Sequence, residues 1–126
     1  MPHEIDQRFL ALPRAALADA ALQRARDLGA SHADFRLERL RSQGLSLRDG
    51  RLEGSHDGED VGFAVRVVHD GAWGFAAGVD LTVDAVVAAA ETAVQVAKVS
   101  ARMSTERVEL AAEPVHSDVS WISSYE

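Results

Sequence analysis

The sequence predicts an α+β domain, an antiparallel β-meander of about five strands packed against two α-helices. Asp-Gly pairs at Asp49-Gly50, Asp57-Gly58 and Asp70-Gly71 punctuate a block of alternating apolar residues from Leu45 to Ala77. Asp-Gly between alternating hydrophobics is a strong hairpin signal, because a two-residue turn that follows strand twist needs positive φ at both central positions. An Ala-rich stretch before the block and a Val/Ala-rich stretch after it each repeat apolar residues at helical spacing.

The first helix is expected over 13–28. Pro13 suits a first helical turn, where its missing N–H costs nothing. Leu17, Ala21, Ala25 and Leu28 share a face, and Gly29 supplies the C-terminal cap. Ala33, Phe35 and Leu37 then alternate with Asp34, Arg36 and Glu38, the pattern of a half-buried strand. Leu45 and Leu47 repeat it, turn at Asp49-Gly50 and return through Leu52.

Val61, Phe63, Val65 and Val67 alternate with Gly62, Ala64, Arg66 and Val68, a small and partly apolar second face that marks a central strand. The chain turns at Asp70-Gly71 into Ala72 to Ala76, where Trp73 and Phe75 share one face. Core packing is the expected role of both. Together with Trp121 they are also the candidate interface or peptide-facing residues. Glycine beside them implies close backbone approach on the opposite face, by a helix, another domain or an extended peptide.

Thr82 is the expected N-cap of the second helix, with Asp84 favourable to its dipole. Val83, Val86, Val87, Ala90, Val94, Ala97 and Ala101 form its apolar stripe. Past Ser104 the character changes. Val108-Glu109-Leu110 reads as an edge strand, and Glu113-Pro114 opens a polar segment that ends on Trp121, Ile122 and Tyr125. Residues 1–104 are therefore assigned to the α+β domain. Residues 105–126 are assigned to an edge strand and a connection toward a further, C-terminal part.

At 126 residues the chain is one domain in size, with 47% hydrophobic and only 6% aromatic residues. Twenty acidic against 13 basic residues give a net charge of −7, which disfavours contact with a phosphate backbone. Arg36, Arg39, Arg41, Arg48 and Arg51 do gather, but Asp34, Glu38, Asp49 and Glu53 are interleaved with them. No nucleic-acid partner is expected. The absence of cysteine removes disulfides and thiolate metal sites and suits a reducing, cytoplasmic setting. The N-terminus lacks a signal-peptide pattern, and the longest strongly apolar run, about 85–90, is far short of a membrane span.

No catalytic constellation emerges. His3-Glu4 is the only His-Glu pair and has no second His at helical spacing for a zinc site. His56-Asp57 and His69-Asp70 resemble acid/base pairs, but both coincide with expected turns, where Asp serves the backbone. There is no Gly-x-Ser-x-Gly elbow and no phosphate loop or dinucleotide fingerprint. Glu59-Asp60 are neighbours in sequence, and strand neighbours face opposite ways.

Three stretches carry a family resemblance: Ser46-Leu47-Arg48-Asp49-Gly50-Arg51-Leu52-Glu53-Gly54, Gly62-Phe63-Ala64-Val65-Arg66-Val67 and Asp70-Gly71-Ala72-Trp73-Gly74-Phe75-Ala76. In order and spacing they resemble the N-terminal domain of the TldD/PmbA family, also called modulators of DNA gyrase. The similarity runs from about Ala30 to Ser100, and the Ala72 to Ala76 wording is closer to the TldD subunit.

The resemblance implies a metallopeptidase whose TldD-type subunit holds zinc through a His-Glu-x-x-x-His motif and a further Cys. It also implies pairing with a PmbA-like (TldE) subunit, or self-association, and cleavage of unfolded peptides inside a chamber. None of those ligands has a counterpart here, so no cofactor is expected in this chain and zinc is expected in a part beyond Glu126. The expected role is that of an assembly and chamber-forming domain. The rival reading is a stand-alone, non-catalytic peptide-binding or adaptor module.

Overall fold

Two of the three Asp-Gly pairs are turns and the third is not, and this decides the sheet. In the computed structural model, which describes residues 6–124, Asp49 and Gly50 have φ of 48° and 74°, and Asp70 and Gly71 have φ of 50° and 72°. They join β1 (His32–Arg48) to β2 (Arg51–His69) and β2 to β3 (Ala72–Gly78), all antiparallel in the order β1-β2-β3. Asp57 and Gly58 instead lie inside β2, opposite Gln43 and Ser42. The Asp57 carboxylate accepts bonds from Arg41 and Gln43 on the neighbouring strand, so cross-strand pairing wins over local turn chemistry.

The expected meander of about five strands is thus three long ones. The strand expected at Ala33 to Leu37 continues through Leu45 and Leu47, and the return through Leu52 runs on into Val61 to Val67. One irregularity interrupts the ladder, between Ser46 and Leu47. The edge strand expected at Val108 to Leu110 does not form. Val108 N–H donates to Gly71 O at 2.8 Å and Arg107 pairs with Asp70, so the segment meets the end of the sheet at a turn, away from the ladder of a strand edge. His3-Glu4 and Tyr125 lie outside the described residues.

Three helices accompany the sheet. A short α1 (Gln7–Leu10), not expected from the sequence, is capped by the Asp6 carboxylate, which accepts from Arg8 N–H. The helix expected at 13–28 is α2 (Arg14–Asp27), with Pro13 as N-cap. Gly29, at φ 88°, closes it: Gly29 N–H bonds Arg26 O and Ala30 N–H bonds Ala25 O, a Schellman pair. α3 (Val83–Met103) starts at Thr82, whose hydroxyl accepts from Ala85 N–H as expected.

Both long helices cover one face of the sheet. Leu17, Ala21 and Ala25 of α2 and Val86, Ala89, Ala90, Ala93, Val94 and Ala97 of α3 pack on Phe63, Val65 and Val67 of β2. Ala33, Phe35, Leu37 and Ala76 complete this layer from the flanking strands. Phe35 and Phe63 stack with centroids 6.0 Å apart. Arg24 and Glu91 bridge the two helices at 2.8 Å on their solvent side.

Candidate functional site

The other face of the sheet carries no helix, and its composition follows from register. Across β1, β2 and β3 the rows read His32–Val68–Trp73 and Asp34–Arg66–Phe75, followed by Arg36–Ala64–Ala77. Trp73 and Phe75 therefore point away from the core, 38% and 57% exposed. Core packing was the expected role for both, and the structure corrects it. The inner positions of β3 are Ala72, Gly74 and Ala76, and the backbone of α3 lies so close that a Cβ on Gly74 would sit 1.8 Å from Ala93 O. Only the small face fits under the helix, so the large one is turned outward.

The aromatic pair is embedded in charge. The Arg66 guanidinium lies 4.7 Å from the Trp73 ring centroid and its Nε donates to Asp34 Oδ2 at 2.9 Å. His32 Nε2 lies 3.1 Å from the same oxygen, and the His32 ring meets Trp73 edge-on at 6.2 Å. Exposed pairs of this kind contribute about 0–1 kcal/mol each, so the cluster fixes the pose of Trp73 more than it stabilises the fold. Trp121 lies in the extended segment past α3, 81% exposed. The structure brings Trp73 and Phe75 onto one face and leaves Trp121 in solvent.

Beyond Arg39 and Val61, β1 and β2 leave the body as a two-stranded arm tipped by Asp49-Gly50. From Leu40 to Arg48 it extends roughly 30 Å at the usual strand rise. Arg39 anchors its root. The guanidinium, 17% exposed, bonds Glu59 through Nε at 2.7 Å and also holds Asp6, tying α1 to the sheet. Bonds from the Arg8 backbone and side chain, with Arg39 adding to them, lower the Asp6 carboxyl to about 2. Arg39 likewise holds Glu59 below the usual range, and Arg41 with Gln43 does so for Asp57.

A depressed carboxyl contributes stability above its unfolded pKa and loses it as pH falls through the folded one. Acidification through about 2 is therefore expected to release Asp6 and α1, after Glu59 and Asp57 begin to loosen the arm root. The Asp6 carboxyl shift followed by NMR checks this. A midpoint in the ordinary Asp range would contradict the clamp.

At the base of the arm β3 stops at Gly78 while β2 continues, and a groove of about 480 Å³ opens there. Leu40, Val61, Gly62, Ala64, Ala77 and Val79 line it, with Glu38 and Asp60 among its charged residues. Neither groove nor arm was visible in the sequence. The sequence signal is the run of leucines at 45, 47 and 52, and its spacing fits an ordinary half-buried strand equally well.

For chemistry the structure offers little. Ser42 Oγ and His56 Nε2 lie 3.4 Å apart on the arm, but Asp57 is engaged by Arg41 and Gln43, so no carboxylate orients that imidazole. His56-Asp57 thus lies mid-strand, not in the expected turn, while His69-Asp70 does end at one. Glu59 serves Arg39, while Asp60 faces the groove. Among the described residues no three His, Asp or Glu side chains converge to hold a metal ion, and the chain has no Cys, so the donor set does not fit zinc. No described helix is long and apolar enough to cross a membrane.

A family model described as PmbA/TldA metallopeptidase domain 1 matches residues 33–97. The match spans β1, β2, β3 and most of α3, and so includes the arm, the groove and the aromatic face. No curated protein matches the chain.

Proposed function

Since the chain belongs to the PmbA/TldA metallopeptidase domain 1 family, we propose that it is the non-catalytic first domain of a TldD-like zinc metallopeptidase of the cytoplasm. Its role is assembly and the walling of a chamber in which unfolded peptides are cut. Zinc and the groups that activate water belong to a part of the parent protein beyond Glu126. No step of the hydrolysis is assigned to these residues.

The single observation that carries the reading is the one-sided sheet. Helices cover one face, while the other presents Trp73 and Phe75 beside the Arg66–Asp34–His32 cluster. A face of this composition suits a partner subunit or a docked domain, where aromatic anchors and Arg are enriched. The free edges favour a second use, the stand-alone peptide-binding module. β1 is unpaired along its outer side, and β2 from Arg51 to Gly62 is paired only to β1, so an extended peptide can add as a strand through backbone bonds at either free side.

The test is the encoding gene and its whole product. A frame that continues past codon 126 into a His-Glu-x-x-x-His helix and a later Cys, with zinc-dependent cleavage of an unfolded peptide by the product, is the expected result. A stop at that codon sinks the peptidase reading. Hydrogen exchange on the chain with and without an unfolded peptide then decides the module reading, which requires new protection along β1 or along 52–61.

A further inference from the structure

The outer edge of β3 is unguarded. Ala72–Gly78 holds no charge, no proline and no register break, the devices that keep an edge strand from pairing. The two-residue turn before it fixes which backbone groups are free. His69 and Ala72 flank Asp70-Gly71 as the closing hydrogen-bonded pair, so Ala72, Gly74 and Ala76 exchange bonds with β2. Trp73, Phe75 and Ala77 therefore aim their N–H and C=O groups outward, and no bond from a described residue outside the sheet reaches them. The segment after α3 touches only the start of this edge, where Val108 N–H donates to Gly71 O.

α3 roofs the vacancy. At about 100° per residue, its buried stripe of Val86, Ala90, Ala93, Val94 and Ala97 divides the rest of the helix into two flanks. Asp84, Glu91, Lys98 and Arg102 fall together on one flank, where Glu91 meets Arg24 of α2. Val96, Val99 and Met103 fall on the other, 42%, 54% and 75% exposed. Since α2 lies on the β1 side of α3, this apolar flank overhangs the free edge of β3.

An uncharged strand edge beneath an apolar helix flank specifies its occupant. Outward backbone groups at two-residue spacing are satisfied by an extended chain and not by a helix. Side chains of that chain that turn toward α3 meet Val96, Val99 and Met103, and those on the open face lie beside Trp73 and Phe75. Asp80 is the only charged residue from Gly71 to Val83. It is exposed and has no ion partner among the described residues, so a cation past the Gly78 end completes the match.

We infer that the β3 edge binds an extended segment of an unfolded polypeptide as a fourth strand, apolar at the residues turned toward α3, with Lys or Arg beside Asp80. The site extends the peptide-binding reading to a third edge. It is separable from that reading, because β1 and 52–61 can gain protection without it.

NMR hydrogen exchange on the 126-residue chain, with a soluble peptide that alternates Val with Thr between terminal Lys residues, tests the site. Saturating peptide is expected to slow the Trp73, Phe75 and Ala77 amides at least about tenfold, and to change Gly74, already bonded to β2, far less. Val99→Gln with Met103→Gln is expected to weaken binding about tenfold with unchanged circular dichroism, since both side chains are already in water. Glu in place of the terminal Lys residues weakens binding by at least a similar factor, and Asp80→Asn removes most of the difference between the two peptides. Protection confined to β1 or to 52–61 overturns the inference, as does binding indifferent to Val99 and Met103 or to the terminal Lys. So do Trp73, Phe75 and Ala77 amides already slow in the free chain, for then the segment after α3 or a second copy fills the edge.

Discussion

Gly74→Ala is expected to be the most damaging single-methyl change in this protein. An added Cβ would lie 1.8 Å from Ala93 O, 2.8 Å from Ala97 N and 2.9 Å from Ala93 C. All three are backbone atoms of α3, so no side chain can rotate away; the helix itself must lift from β3. Overpacking a core costs about 1–3 kcal/mol and occasionally more, and a clash with two turns of backbone belongs at or above the top of that range. Domain stabilities are about 5–15 kcal/mol, so the loss is a large fraction of the whole.

Urea unfolding gives the number through a lowered midpoint at unchanged slope. Gly44→Ala is the control. A Cβ there meets only His56 Cβ, at 4.0 Å, on the open arm. It is expected to be neutral or slightly stabilising through the unfolded chain. Equal losses at the two sites would mean that α3 does not approach β3 as described.

The same contact explains what the sequence revealed and what it hid. Both long helices were legible because their signals are local: Leu17, Ala21 and Ala25 lie on one face, and so do Val86, Ala90, Val94 and Ala97, each helix with its own cap. Strand alternation was legible too, but alternation names two faces without saying which is inside. Size suggested Trp73 and Phe75. The deciding fact is the fit of Ala72, Gly74 and Ala76 beneath Ala89, Ala90, Ala93 and Ala97, small against small, and it depends on residues far apart in the chain.

Strand length was hidden for a related reason. Asp57-Gly58 reads the same as the two real turns. Only the distant partners Arg41, Ser42 and Gln43 hold it in a ladder. The short α1 had too few residues for periodicity and depends on Asp6 meeting Arg39 across the fold. No functional site followed from motif search because the candidate surfaces here are made by topology. A sheet covered on one side, an arm that outruns its neighbours and a groove where β3 ends have no spacing signature.

A leucine pair separates the residues that hold the fold from those left in solvent. Leu17 is 1% exposed between α2, α3 and the sheet, whereas Leu45 is 71% exposed near the arm tip. Deleting the same atoms at the two sites is expected to give opposite readings. Leu17→Ala removes one of the larger side chains from a core filled mostly by Ala and Val, and small neighbours on rigid helices cannot collapse into the space. A loss of about 3–4 kcal/mol follows from the usual transfer and cavity costs. Leu45→Ala changes little, within about 0.5 kcal/mol, since the side chain is already hydrated.

Thermal unfolding checks both. A large loss at Leu45→Ala would mean that the arm tip is covered, while an unaltered midpoint for Leu17→Ala would contradict the core.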